Sequence, residues 1–172
     1  LQILINQIKH HETKELTDKY LATYITTVDG NFQRQLASAL SYTKDETTLT
    51  HLLEEWKNKD VVKPQDLAMS WYFTFLQHDF TQGTVWTWAR ENWDWIKAAL
   101  GGDMSFDKFV IYPASTFKTY ERLAEYKAFF EPQLSDLAIS RNISMGIKEI
   151  CARIDLIDKE KAAVEAAIKA TV

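Results

Sequence analysis

Six isoleucines, Ile139, Ile143, Ile147, Ile150, Ile154 and Ile157, recur at spacings of 4, 4, 3, 4 and 3. That period keeps one face of an α-helix apolar, whereas a strand would send alternate members to opposite faces. Shorter stripes repeat the pattern upstream. Leu49, Leu52, Leu53 and Trp56 follow the i, i+3, i+4, i+7 rule, and Leu123, Tyr126, Lys127 and Phe130 run down one side of another segment. Only 5 Gly and 3 Pro occur in 172 residues. Tight hairpins need Gly for positive φ and Pro for fixed φ, so a sandwich or barrel is excluded in favour of an all-α chain. Six Trp, 7 Tyr and 9 Phe supply enough apolar surface to offset the entropy of ordering, which excludes disorder.

The sparse breakers divide the chain. Asp29-Gly30-Asn31 separates helices expected over 14–28 and 32–41. Thr43 and Glu46 have capping-box spacing ahead of a helix over 45–57. Pro64 suits the first turn of the next helix, which fails near Asp79. Gln82-Gly83 marks a junction before a tryptophan-rich helix over 84–100, stopped by Gly101-Gly102. Asp103 and Ser105 cap a short helix that Pro113 ends, and Thr119 caps one that stops before Pro132. The isoleucine helix follows, and Asp158 caps a last amphipathic helix through Ala170. Gly146 alone falls inside an expected helix, where it permits close packing or a slight bend.

Nine or ten helices with short connections place neighbours antiparallel. The 84–100 helix is apolar around more than half its circumference and needs cover on two sides, as the inner helix of a stacked array has. The fold expected is therefore all-α, an irregular HEAT/armadillo-like array or α-α superhelix, with a compact helical bundle as the alternative. Residues 1–172 read as one domain.

Charge narrows the partners. With 20 Lys+Arg against 24 Asp+Glu the net charge is −4, and no basic run has recognition-patch length, so neither nucleic acid nor an anionic membrane is expected. The longest uncharged runs, 67–77 and 109–117, fall short of the roughly 18 residues a membrane-crossing helix needs. One cysteine, Cys151, and no visible secretory leader point to the cytoplasm, and Cys151 reads as a buried structural thiol. The opening Leu-Gln-Ile-Leu-Ile, without an initiating Met, suggests a piece of something longer.

Chemistry-bearing motifs are few. His11-Glu12 begins an H-E-x-x-H zinc phrase, but Glu15 stands where the second histidine belongs. His51 and Glu55 sit at i, i+4 without a third ligand, and His78-Asp79 reads as a helix C-terminal cap. Nucleophile-elbow, Walker and dinucleotide glycine patterns are absent, so no catalytic and no metal residue is expected here. The tryptophans Trp86, Trp88, Trp93 and Trp95 read as core.

The phrase Gln82-Gly83-Thr84-Val85-Trp86-Thr87-Trp88, followed by Glu91-Asn92-Trp93-Asp94, resembles a signature of the C-terminal domain of the zinc aminopeptidase N family. Three further phrases match that family in the same order: Val61-Val62-Lys63-Pro64-Gln65-Asp66, the segment from Phe117 to Phe130, and the segment from Asn142 to Ile154. The resemblance covers roughly positions 36–172 and is most similar to the bacterial members. It implies a HEAT-like helical bowl that closes over a catalytic domain of the same polypeptide, limits entry to peptides and touches the distal part of the substrate. The family's zinc ligands, its substrate-binding loop and its transition-state tyrosine lie in an earlier domain and have no match in these residues. The zinc cofactor is accordingly expected in the parent enzyme and none in this chain. Lys63, Arg90, Arg141 and Arg153 are the candidates for holding a peptide carboxylate. A free-standing helical scaffold that binds a protein partner is the alternative function, and a helical enzyme with an unrecognised site is a third.

Overall fold

The computed structural model describes residues 1–171, and every described regular element is helical. In chain order these are α1 (Gln2–His11), α2 (Lys14–Thr26), α3 (Gly30–Leu40), α4 (Glu46–Glu55), α5 (Pro64–Asp66), a π-helical turn (Leu67–Tyr72), α6 (Phe73–Leu76), α7 (Asp79–Glu91), α8 (Trp93–Leu100), α9 (Lys108–Thr116), α10 (Tyr120–Phe130), a 3-10 turn (Glu131–Gln133) and α11 (Ser140–Thr171). With α5, the π turn and α6 taken as one interrupted rod, the described residues form ten helices and no strand, in keeping with the all-α expectation. The chain gathers into two compact units, Leu1–Phe109 and Val110 onward, with the boundary inside α9.

In the first unit α3 is the central rod, packing on α1, α2, the π turn and α6. It tolerates so many neighbours because Leu36, Ala37, Ala39 and Leu40 are all buried, and the two alanines let backbones approach. The core beside it is aromatic. Trp56, after α4, meets Trp71, Phe75 and Trp88 edge-on at centroid distances of 6.2, 5.4 and 5.0 Å. The wider π turn lets consecutive residues share the interior: Trp71 packs edge-on against Tyr24, while Tyr72 stacks on Phe109 at 4.6 Å. Such a bulge leaves no mark in a 3.6-residue pattern.

Several boundaries differ from those the sequence suggests. A first helix, α1, buries Ile5 and Ile8 and was not expected. The break near residue 80 falls at Gln77-His78, not at Gln82-Gly83. Thr81 Oγ1 and Gln82 Nε2 turn back to the carbonyls of Phe75 and Leu76, closing α6 from inside the next helix. Gly83 is then an ordinary residue of α7. The tryptophan helix is broken at Asn92, whose Nδ2 donates to the Trp88 carbonyl at 2.8 Å. The Asn92 backbone amide bonds the same carbonyl at 3.0 Å, so backbone and side chain of Asn92 together close α7, and the Asn-Trp phrase is a helix junction. Asp45, rather than Thr43, caps α4 through Thr48 N at 2.7 Å; the Thr43 hydroxyl donates to Glu12 and accepts from Asp45 N at 3.3 Å, one turn short of the helix.

In the second unit α9 runs through Pro113 instead of ending there; Phe117 N still bonds the Pro113 carbonyl at 2.9 Å. The missing amide at 113 removes one helical bond. Burial of Val110, Ala114 and Phe117 from the same segment stabilises the turn in spite of it. The isoleucine stripe is buried at 139, 143, 150 and 154, half-buried at 147 and exposed at 157. Asp158 starts no new helix. Residues 159–170 are Ala, Lys and Glu with two aliphatics, Val164 and Ile168, and hold no breaker, so α11 continues unbroken past Asp158. Gly146 fulfils its expected role: a Cβ there would fall on the Tyr126 hydroxyl and 2.8 Å from the Ala114 Cβ. Tyr126 in turn donates to the Val110 carbonyl at 3.1 Å, and its pKa is raised, first by burial and then by Glu149. Cys151, one residue off the buried stripe, is half-buried rather than buried.

Candidate functional site

The four candidate cations occupy different settings. In the first unit Lys63 is the exposed residue preceding Pro64, beside a groove shared with Tyr24, Asp60 and Asp66. Arg90, near the end of α7, is half-buried: its guanidinium lies 5.3 Å from the Trp86 ring centre and Nη2 donates to Thr87 Oγ1 at 3.1 Å. Its Nε is buried without a partner, and no carboxylate among the described residues pairs with it. In the second unit Arg141 is exposed in the first turn of α11.

Arg153 is committed to its own fold. Nη1 donates to the carbonyls of Ala114 and Phe117, both at 2.7 Å, and Nη2 pairs with Glu149 at 2.7 Å. The last carbonyls of a helix lack intrahelical donors and carry the negative end of its dipole, so a cation there satisfies both needs. Lys63 and Arg90 are not bonded to one another, and Arg153 and Arg141 lie on α11 three turns apart with no shared partner.

The histidines do not gather either. His51 lines a groove of 610 Å³ between the N-terminal turns of α2 and α4, floored by Leu21 and Leu52. Its carboxylates are engaged: Asp18 pairs with Lys14 at 2.6 Å, Asp45 caps α4, and Glu12 accepts from the Thr43 hydroxyl and the Lys44 amide. Glu55, the expected neighbour of His51, accepts from Asn58 Nδ2 at 3.1 Å. Among the described residues no group of three or more His, Cys, Asp or Glu side chains is placed to share a metal ion. No described helix is long and apolar enough to cross a membrane.

His78 departs from its expected place, since it precedes α7 as the N-cap residue instead of closing a helix. Its Nε2 lies 3.1 Å from Ser41 Oγ and its ring 3.9 Å from that of Tyr42. Burial holds its pKa below the usual histidine value, the nearby Lys9 ammonium lowers it further, and Asp79 opposes them. Sequence reasoning missed this cluster because its parts come from α1, the 41–45 loop and the start of α7, and only the fold brings them together.

Among the described residues the candidate cations and histidines stay scattered over a helical array, and relatives identify the family to which this array belongs. Residues 2–152 match the family model of the ERAP1-like C-terminal domain, and the chain belongs to that family. It is similar to Aminopeptidase N of Lactococcus lactis subsp. lactis, with 59% identity over 97% of this chain and 20% of that protein. Aminopeptidase N of Lactobacillus helveticus is 42% identical over 96% of this chain and 20% of its own length. Endoplasmic reticulum aminopeptidase 2 of Bos taurus is 32% identical over 64% of this chain and 12% of that protein. The chain thus spans about a fifth of its bacterial relatives and corresponds to one domain of a larger polypeptide. The match begins well before position 36, where the resemblance was expected to start, since α1 and α2 carry no distinctive motif.

Proposed function

We propose that this chain is the substrate-access and peptide-positioning domain of a cytoplasmic zinc aminopeptidase that removes N-terminal residues from peptides. The observation that carries this is the 59% identity to a fifth of an Aminopeptidase N, over nearly the whole of this chain. Zinc and the bond-breaking groups belong to the catalytic domain of the parent polypeptide, which is this chain's main partner. The contribution made here is entropic and steric: helices bound the space a peptide enters and hold its distal part, so that the amino end reaches the reacting groups already oriented. Among the candidate cations Lys63, Arg90 and Arg141 are the ones with charge to offer a substrate, and Arg153 serves mainly to close α9.

The isolated chain, supplied with zinc and assayed on leucyl- and lysyl-arylamides, turns over neither, while the parent polypeptide hydrolyses them. Turnover by the isolated chain at the parent's rate would overturn the proposal.

A further inference from the structure

A cavity of 410 Å³ in the first unit lies outside the grooves assigned above, between the end of α1, the 41–45 loop and the start of α7. Two lysines edge it. Lys9 Nζ stands 4.2 Å from the Tyr42 ring centre and Lys44 Nζ 4.9 Å from that of Phe80. Neither ammonium has a carboxylate or carbonyl partner among the described residues. An aromatic face attracts a cation by roughly 0.5–1 kcal/mol at an exposed site but leaves its charge unneutralised.

The surroundings add donors rather than acceptors. His10 lines the same cavity, and the Tyr42 hydroxyl has no hydrogen-bond partner among the described residues. The Phe80 amide, in the first turn of the thirteen-residue α7, is likewise unbonded, and His78 supplies no side-chain cap. Asp79 is the one carboxylate of the lining. Contrast the 610 Å³ groove, where three carboxylates meet a single lysine already paired with one of them.

The arrangement is also held in place. Glu12 accepts from the Thr43 hydroxyl and from Lys44 N, which fixes the loop that carries Lys44. Tyr42 contacts both the Lys9 ammonium and the His78 ring, and Ser41 Oγ lies 3.1 Å from His78 Nε2. Within the lining itself two lysines stand against one carboxylate, Asp79, on a chain whose net charge is −4.

We propose that this cavity is an oxyanion site, in which Lys9 and Lys44 take a carboxylate or phosphate group between them. The inference stands independently of the peptide-positioning reading, because an inorganic ion suffices to occupy it.

Competition labelling in the full-length parent polypeptide tests it. An amine-reactive ester is applied at constant ionic strength and lysine modification is read by peptide mass spectrometry. The additions are inorganic phosphate, a short peptide with a free C-terminal carboxylate, the same peptide amidated, and chloride. Labelling of Lys9 and Lys44 slows saturably, by about tenfold once the added ion reaches about nine times its dissociation constant, while exposed Lys14 and Lys159 are unchanged. Protection by phosphate supports an inorganic occupant; protection only by the free-carboxylate peptide supports a peptide end. In the Lys9→Gln protein the protection of Lys44 is lost. Equal protection by the amidated peptide, equal slowing of all lysines, or no saturable protection overturns the proposal.

Discussion

The guanidinium of Arg153 caps the chain segment that ends at Ala114 and Phe117 from 39 residues away, donating to the Ala114 carbonyl at 2.7 Å and to the Phe117 carbonyl at the same distance. A residue whose place near the end of the resembled segment suggests substrate contact is thereby a tie between α11 and the C-terminus of α9. Arg153→Ala leaves those carbonyls without their donor, and the second unit loses about 2 kcal/mol, the range for hydrogen bonds to a charged group. Lysine, with no fork to span two acceptors, recovers only part of this. Urea unfolding of the three proteins, compared by midpoint at constant m, checks the order wild type, Arg153→Lys, Arg153→Ala.

At Gly146 α11 lies so near α10 and α9 that any Cβ there meets Tyr126 and Ala114. Gly146→Ala would gain helix propensity of about 1 kcal/mol on an open surface. Here overpacking costs about 1–3 kcal/mol and wins. Thermal unfolding therefore finds the alanine protein less stable than wild type. Gly146→Ala combined with Tyr126→Phe, which removes the colliding hydroxyl, is less impaired than additive single effects require.

His78 makes stability depend on pH. Its pKa is depressed in the folded chain, by burial first and then by Lys9, so the unfolded chain binds the proton more readily below the ordinary value of 6.5. Stability is accordingly full above that pH and falls as pH drops through 6.5 toward the lower folded value. His78→Gln flattens this acid-side slope. Unfolding midpoints of both proteins across that window measure it; parallel slopes would remove His78 from the account.

The all-α class was legible because apolar residues at 3.6 spacing and the shortage of Gly and Pro report backbone geometry directly. Gly146 was legible for the same reason, as a residue that a helix interior tolerates only for packing. What escaped is set by tertiary partners. The break at Asn92 interrupts an apolar stripe that runs on to Leu100, and the break at His78 depends on Thr81 and Gln82 turning back to α6. Pro113 sits inside a helix because buried neighbours compensate for its missing bond. Arg90 and Arg153 look alike in sequence, both basic residues near aromatic or apolar stripes, and only the fold shows one engaged with carbonyls and the other without a carboxylate.

Arg90 therefore offers the most direct test of the positioning role. In the parent polypeptide Arg90→Gln is assayed on a leucyl-arylamide and on a series of peptides of increasing length. The account predicts a KM about tenfold higher for the longer peptides, as loss of one charged contact implies, with kcat little changed and arylamide kinetics unaltered. A parallel loss on arylamide and peptides alike, or no change on either, would contradict it.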